Sequence, residues 1–263
     1  MTSDLTTRAD SVLMNVFDWQ DTGLEYGKGA YLFDRDGKKY LDFTAGIAVN
    51  ALGHNHPAYV AAAADQAAKV NHLSGSHLSE WKVRTAEILT GHSCMDKVFY
   101  CNSGTEATEA ALKLSRKWAK ENKGPDCIET VCFENAFHGR TFGALSVTWT
   151  KEKHAPFEPV LPGARFATFN DLESVKALVN DNTAAIILEP IQGETGVVPA
   201  TKEFLQGLRE LCDAHDIALI FDEIQCGMGR TGTLFAYEQF GVEPDIITLA
   251  KGLGNGFPIG AML

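Results

Sequence analysis

Two residues near the end of the chain carry the strongest chemical signal: Lys251 and, twenty-nine positions earlier, Asp222. The acid follows the apolar run Ile217-Ala218-Leu219-Ile220-Phe221, and the amine follows Ile246-Ile247-Thr248-Leu249-Ala250. Each is therefore expected at the C-terminal tip of a buried strand. Gly252, Gly254 and Gly256 come directly after the lysine, and a turn rich in glycine lets a bulky partner approach the backbone. An amine so placed can form a Schiff base with a carbonyl. An aspartate on a neighbouring strand can hold the protonated nitrogen of a pyridine ring, so the pair suggests pyridoxal 5'-phosphate. On spacing alone two plainer readings stay open: a Walker-B-like metal site at Asp222-Glu223, and a solvated lysine capping a strand.

Three further polar clusters narrow the choice. Asn102-Ser103-Gly104-Thr105-Glu106 lies between an expected strand and an expected helix, where backbone N–H groups and the Ser103 and Thr105 hydroxyls can receive a phosphate. A plain capping turn is the competing explanation. In Asn135-Ala136-Phe137-His138-Gly139-Arg140-Thr141, Phe137 can stack on an aromatic cofactor and Arg140 can grip a carboxylate with two parallel hydrogen bonds. A lone Phe is more often core and a lone Arg more often surface. Glu189-Pro190-Ile191-Gln192-Gly193-Glu194-Thr195-Gly196 puts Glu189 at a strand tip and Glu194 in a loop, where either can hold a substrate cation or an active-site arginine, or simply be solvated.

The elements that must position these residues are legible in the pattern. Residues 1 to about 28 read as an arm with a short helix around Ser11 to Phe17. Ala30–Phe33 and Tyr40–Phe43, joined through Asp34-Arg35-Asp36-Gly37, read as a hairpin. Leu52-Gly53-His54-Asn55-His56-Pro57 reads as a turn into a helix running to about Val70, and its histidines have no matching metal-ligand spacing. A further helix, Glu80 to Leu89, is capped by Ser79. From about Lys97 short apolar strands alternate with helices. The strands are Val98–Cys101, Cys127–Phe133, Arg165–Thr168, Ala184–Leu188, Ile217–Phe221, Ile246–Leu249 and Ile259–Leu263. The helices are Glu106–Glu121, Leu172–Val179 and Lys202–His215, with Asp171 and Thr201 as caps. That alternation predicts an α/β fold with a mostly parallel seven-stranded sheet covered by helices on both faces. In such sheets the functional loops lie beyond the carboxyl ends of the strands, where every cluster above falls.

Composition sets the outer bounds. A chain of 263 residues, 45% hydrophobic and 22% charged, can bury a substantial core. Its net charge of −11 argues against a nucleic-acid or anionic-membrane surface. The six cysteines form no CxxC pair, and no apolar run approaches the length of a membrane span. A reducing cytoplasm is the expected location.

Taken together, Asn102-Ser103-Gly104-Thr105-Glu106-Ala107, Phe137-His138-Gly139-Arg140, Glu189-Pro190-Ile191-Gln192-Gly193-Glu194, Phe221-Asp222-Glu223-Ile224-Gln225 and Ala250-Lys251-Gly252-Leu253-Gly254 resemble the ordered motif set of class III, fold type I aminotransferases. Gly46-Ile47-Ala48-Val49-Asn50-Ala51-Leu52-Gly53-His54 and Gly229-Arg230-Thr231-Gly232 add a likeness to the acetylornithine aminotransferase group. The resemblance implies a small-domain segment with the hairpin over residues 1–60 and a large cofactor-binding domain over 61–263. Lys251 resembles the lysine that forms the Schiff base, and Asp222 the acid that pairs with the pyridine nitrogen. Gln225 would contact the ring's 3-oxygen, Ser103, Gly104 and Thr105 the phosphate, and Phe137 the ring face. Arg140 would hold the donor's α-carboxylate. Glu194 would pair with the arginine that receives 2-oxoglutarate, and Glu189 would be a pocket acid near the substrate amine.

The implied reaction moves the δ-amino group of N2-acetylornithine to 2-oxoglutarate in arginine biosynthesis, within a homodimer. Ornithine, succinylornithine or 4-aminobutyrate as donor, and an inactive cofactor-binding or scaffold protein, are the alternatives. Relatives extend beyond the point corresponding to Leu263. The resemblance therefore places a closing strand region, a partner-subunit threonine and a C-terminal domain with a carboxylate-binding arginine outside this sequence. Thr195 stands where many relatives have glycine.

Overall fold

The computed structural model describes residues 2–20 and 22–263. The chain divides into two compact units, Met1–Leu73 and Ser74–Leu263.

In the first unit, α1 (Thr2–Val12) precedes a three-stranded antiparallel sheet of β1 (Leu24–Lys28), β2 (Tyr31–Asp34) and β3 (Lys39–Leu41). The β2–β3 hairpin is the one expected from the sequence, with the Asp34 carboxylate accepting the Asp36 and Lys38 N–H groups across the turn. Two expectations are corrected here. The helix lies nearer the N-terminus than Ser11–Phe17, and β1 occupies part of the segment read as an arm. Gly27 and Gly29 interrupt the alternation that would mark a strand, and Gly27 is needed because a Cβ there would run into His54 at 2.6 Å. The segment α2 (Ala45–Ala48) is a turn in which Ala45, Gly46, Ile47 and Ala48 all have left-handed φ. Asp42 anchors it, accepting the Ala45 N–H at 2.9 Å on one oxygen and meeting His54 Nε2 at 2.7 Å with the other. His54 is thus a structural partner. Helix α3 (Pro57–Ala67) starts with proline, as expected.

The second unit opens with α4 (Glu80–Gly91), whose cap Ser79 accepts the Lys82 N–H. It continues through β4 (Phe99–Cys101), α5 (Gly104–Asn122), β5 (Glu129–Phe133), α6 (Phe142–Ser146), α7 (Lys151–His154), β6 (Ala164–Ala167), α8 (Leu172–Lys176) and β7 (Thr183–Leu188). A small hairpin, β8 (Ile191–Gln192) and β9 (Val198–Pro199), leads to α9 (Lys202–His215), β10 (Ala218–Asp222), α10 (Tyr237–Phe240), β11 (Ile246–Leu249) and β12 (Gly260–Met262). Seven strands form one sheet in the order β4-β12-β11-β10-β7-β5-β6. Every neighbouring pair from β11 to β6 is parallel, and β12 runs antiparallel to both β11 and β4. The link from β11 to β12 is too short for a crossover helix, so the chain turns straight back. Gly260–Met262 supplies the seventh strand of the sheet.

Side-chain alternation explains the two covered faces. In β7 every residue is buried. Ile186 and Leu188 face the cluster that holds Phe204, Leu205 and Leu208 of α9 and Val175 of α8, whereas Ala185 and Ile187 face Ala111 and Leu112 of α5. Helix α5 buries Ala107, Thr108, Ala111 and Ser115 on one face, small residues that let it lie close on the sheet. Leu205 and Leu208 are fully buried, and removing either side chain would cost about 2–5 kcal/mol. The C-terminal ends of β4, β5, β7, β10 and β11 all point to the same edge.

Candidate active site

Asp222 is the last residue of β10 and pairs in register with Thr248 of β11, three residues before Lys251. Both residues stand at strand tips, as the apolar runs predicted, and the pairing of β10 with β11 makes the two tips adjacent. Lys251 sits in left-handed backbone at φ 42°, in a turn closed by Leu253 N–H to Ala250 O at 2.8 Å and Gly254 N–H to Lys251 O at 3.1 Å. A non-glycine residue held there costs about 1–3 kcal/mol and is characteristic of functional sites. The Lys251 side chain is half-buried, and burial holds its amine below the ordinary lysine range. The negative fields of Asp222, Glu194 and Glu189 oppose that shift only in part.

Asp222 is almost wholly buried. Its Oδ1 accepts the Ile224 N–H at 3.0 Å, and its Oδ2 lies 2.7 Å from His138 Nδ1. Two hydrogen bonds leave lone pairs on both oxygens, so the carboxylate can still accept from a bound cation.

The phosphate-type cluster is brought to the same place by α5. Ser103 caps the helix by accepting the Glu106 N–H, and Glu106 returns the contact by accepting from the Ser103 hydroxyl at 2.9 Å and the Asn102 N–H at 2.8 Å. This is the capping box legible in Ser-x-x-Glu. It uses Ser103 locally and leaves the N–H groups of Gly104 and Thr105 in the first turn, where no intrahelical acceptor exists. A Cβ at Gly104 would meet Ile224 at 3.0 Å and Ala250 at 3.3 Å, which places the helix start directly against the tips of β10 and β11.

The loop after β5 closes on the same helix. Thr105 Oγ1 lies 2.9 Å from Thr141 Oγ1, and Gly139, at φ 133°, packs against the Thr105 side chain. Phe137 is half-buried and Arg140 exposed, with the guanidinium 5.7 Å from the Phe137 ring centroid. Glu189, at the end of β7, is buried and accepts the Phe137 N–H at 3.0 Å and the Gly193 N–H at 3.2 Å. Burial pushes its carboxyl up to about 7 against the opposing field of His138, and Asp222 adds to the rise. Glu194 is exposed at the tip of the β8–β9 hairpin. Thr195 joins that hairpin to the Phe137 loop by donating to Asn135 O at 3.3 Å. Gln225 is half-buried, its carboxamide pressed against Gly193 so closely that a Cβ at Gly193 would occupy its place.

Several site residues carried no role in the sequence reading. His138 is one, although it sat inside a quoted cluster. Its pairing with Asp222, 84 positions away, had no local signal in the sequence. Glu223, weighed in the sequence only as half of a metal-site alternative, has a different part: buried, with burial raising its carboxyl to about 7, it accepts the Ala236 and Tyr237 N–H groups at 2.7 and 2.8 Å and so fixes the chain beyond β10. Thr108 and Thr148 hold His138 by its backbone, on its carbonyl at 3.0 Å and its N–H at 2.9 Å respectively. Among the described residues no cluster suited to a metal ion occurs, and no helix is long and apolar enough to cross a membrane.

Comparison with known proteins bears on the family and the fold. The family model for class-III aminotransferases matches residues 19–263. The chain is 49% identical over 253 residues to an acetylornithine aminotransferase of Clostridium acetobutylicum, covering 96% of this chain and 65% of that protein. It is 54% identical over 237 residues to a succinylornithine transaminase of Salmonella typhimurium, covering 90% and 58%. The fold superimposes with a TM-score of 0.95 on an ornithine aminotransferase of Toxoplasma gondii at 33% identity, over all of this chain and 63% of that one, in a structure with partial occupancy of PLP at the active site. The chain thus spans about 58–65% of the length of these relatives.

Proposed function

The chain belongs to the class-III aminotransferase family, and from that membership and the site geometry we propose that the protein binds pyridoxal 5'-phosphate and moves the δ-amino group of N2-acetylornithine to 2-oxoglutarate. The products are N-acetylglutamate 5-semialdehyde and glutamate, a step of arginine biosynthesis. The observation that carries the reading is the adjacency of Lys251 and Asp222 at two strand tips, with the first turn of α5 packed against both strands through Gly104. The residues fit the cofactor. Asp222 is a buried anion with lone pairs remaining, α5 offers unused N–H groups to a phosphate, and Lys251 is an amine of lowered basicity.

When bound, the cofactor supplies a ring that withdraws the electron pair released at the substrate carbon. Asp222 would hold the ring nitrogen protonated. Lys251 would attach the cofactor and, once released from it, carry the proton away from the substrate carbon, a task favoured by an amine that loses its charge more readily than free lysine. Gly104 and Thr105 would hold the phosphate through backbone N–H groups and the Thr105 hydroxyl, with Ser103 fixing the helix start. Phe137 would offer an aromatic face and Gln225 a contact to the ring oxygen. Arg140 would take the donor's α-carboxylate, and Glu194 would pair with an arginine that receives the 2-oxo acid. Glu189 orders the Phe137 and Gly193 backbones beside the donor amine. A second copy of the chain is the proposed partner, in keeping with the exposed Phe99, Phe142 and Phe257.

The 54% identity to a succinylornithine transaminase favours one second reading, N2-succinylornithine as donor. Half-reaction rates with N2-acetylornithine, N2-succinylornithine, ornithine and 4-aminobutyrate test both. The highest kcat/KM for the acetyl donor supports the first reading, and a preference for the succinyl donor supports the second. Cofactor binding without turnover of any donor would leave an inactive binding protein.

A further inference from the structure

The β8–β9 hairpin has only two paired positions, Ile191 with Pro199 and Gln192 with Val198, and residues 194–199 are all exposed. A ladder that short is not stable alone. It is held by the loop after β5. Buried Gln192 donates to Glu134 O at 2.9 Å, and Glu189 takes the Gly193 N–H on one oxygen and the Phe137 N–H on the other. These contacts fix the base of the hairpin. At the tip, the Thr195 hydroxyl donates to Asn135 O at 3.3 Å, and among the described residues this is the only hydrogen bond made by residues 194–197. Val197 has left-handed backbone at φ 57°, which a β-branched residue rarely adopts, so the tip is held against its own backbone preference.

The tip matters because of what it carries. Burial lowers the basicity of the Lys251 amine, and the groups whose fields oppose that are Asp222, Glu194, Glu189 and Cys226. Three of these are buried at or just beyond strand ends. Asp222 is paired with His138, Glu189 is clamped between two backbone N–H groups with its carboxyl pushed up to about 7, and burial keeps the Cys226 thiol protonated. Glu194 alone among them stands on an exposed loop, so its field is the one that can change without unpacking the sheet. We propose that Thr195 is a positioning residue: its hydrogen bond to the Asn135 carbonyl holds the hairpin tip so that the Glu194 carboxylate stays close enough to the Lys251 amine to stabilise its charged form. The inference rests on Lys251 being the reacting amine of the proposed function. Without the tether the tip is released, solvent screens Glu194, and the amine loses its proton more readily.

The experiment uses the cofactor-free protein and trace acetic anhydride, which acylates neutral amines. Mass analysis follows acetylation of Lys251 relative to exposed Lys113 as a function of pH, in wild type, Thr195→Ser, Thr195→Val, Glu194→Gln and the double variant Thr195→Val/Glu194→Gln. Removing an opposite charge disfavours the charged amine, so Glu194→Gln should lower the Lys251 midpoint by about half a pH unit. Thr195→Val keeps the shape of the side chain but cannot donate, and should give about half of that shift or more. Thr195→Ser keeps the hydroxyl and should stay within about 0.1 unit of wild type. In the Glu194→Gln background, adding Thr195→Val should change the midpoint by less than about 0.1 unit, because the group through which it acts is already neutral. A midpoint unmoved by Thr195→Val or by Glu194→Gln, equal shifts for the Ser and Val variants, or a Thr195→Val shift that persists without Glu194 would overturn the inference. Failure of wild type to take up pyridoxal 5'-phosphate on Lys251 would instead overturn the cofactor reading, while the midpoints still decide the role of Thr195.

Discussion

Glu189 at the end of β7 accepts the N–H of Phe137 at 3.0 Å, so an acid on one strand sets the backbone of an aromatic residue in the loop after another. The same carboxyl accepts the Gly193 N–H with its other oxygen. Two loops that flank the site are thereby held to one buried side chain, and the arrangement has a measurable dependence on pH.

Burial, as the main cause, raises the Glu189 and Glu223 carboxyls to about 7 each. An unfolded glutamate titrates near 4.3, so between about 4.3 and 7 the folded protein keeps protons that the unfolded chain has released. The contribution of these groups to stability therefore falls as pH rises through that window, with an upper bound of about 4 kcal/mol per group. Urea unfolding of the cofactor-free protein should show this fall between pH 5 and 7.5, and Glu189→Gln and Glu223→Gln should each flatten the slope. Parallel pH profiles for both variants and wild type would contradict the assignment.

Borohydride reduction of the cofactor-loaded protein should place the added mass on the peptide containing Lys251. Because burial keeps this amine below the ordinary lysine range, the amine-donor half-reaction should rise with pH and level off at a lower pH than a free lysine would require. Label on Lys113 or any other lysine would transfer the role elsewhere.

Asp222→Asn keeps the size of the side chain and removes its charge. Cofactor should still bind, while removal of the substrate proton slows by about 10²-fold or more, as expected for losing an electrostatic partner used in the transition state. Single-turnover absorbance changes with the amine donor report the step directly, and an unchanged rate excludes this role.

Arg140 is exposed, with its guanidinium carbon 5.7 Å from the Phe137 ring centroid, so Arg140→Lys should disturb packing little. Lysine offers a point charge where arginine offers a planar fork. For N2-acetylornithine, kcat/KM should fall by about 10- to 1000-fold, corresponding to about 1.4–4 kcal/mol. A carboxylate-free amine of similar length should lose much less. Equal losses for both donors would return Arg140 to a surface role.

Much of the fold was legible because its signals are local. Apolar runs of four to six residues mark strands, and the cap residues Ser79, Ser103, Asp171 and Thr201 all accept the backbone N–H groups that their positions predict. The seven strands of the sheet and the placement of Asp222 and Lys251 at strand tips followed from those signals. The first unit was less legible. Glycines hid β1, and the left-handed turn at Ala45–Ala48 has no composition that would announce it, since Ile47 is a poor candidate for positive φ.

By itself the sequence determined which residues stand at strand ends and helix starts, because side-chain period and capping chemistry act over a few positions. Only the tertiary structure decided which of them meet. The strand order β4-β12-β11-β10-β7-β5-β6 brings the loop after β5 to the tip of β10, joining His138 to Asp222 across 84 positions, and brings Glu189 to the Phe137 backbone across 52. No local period encodes such contacts. Nor does any local pattern encode their consequence, since the shifts at Glu189 and Lys251 arise from burial, and burial exists only once the elements have packed.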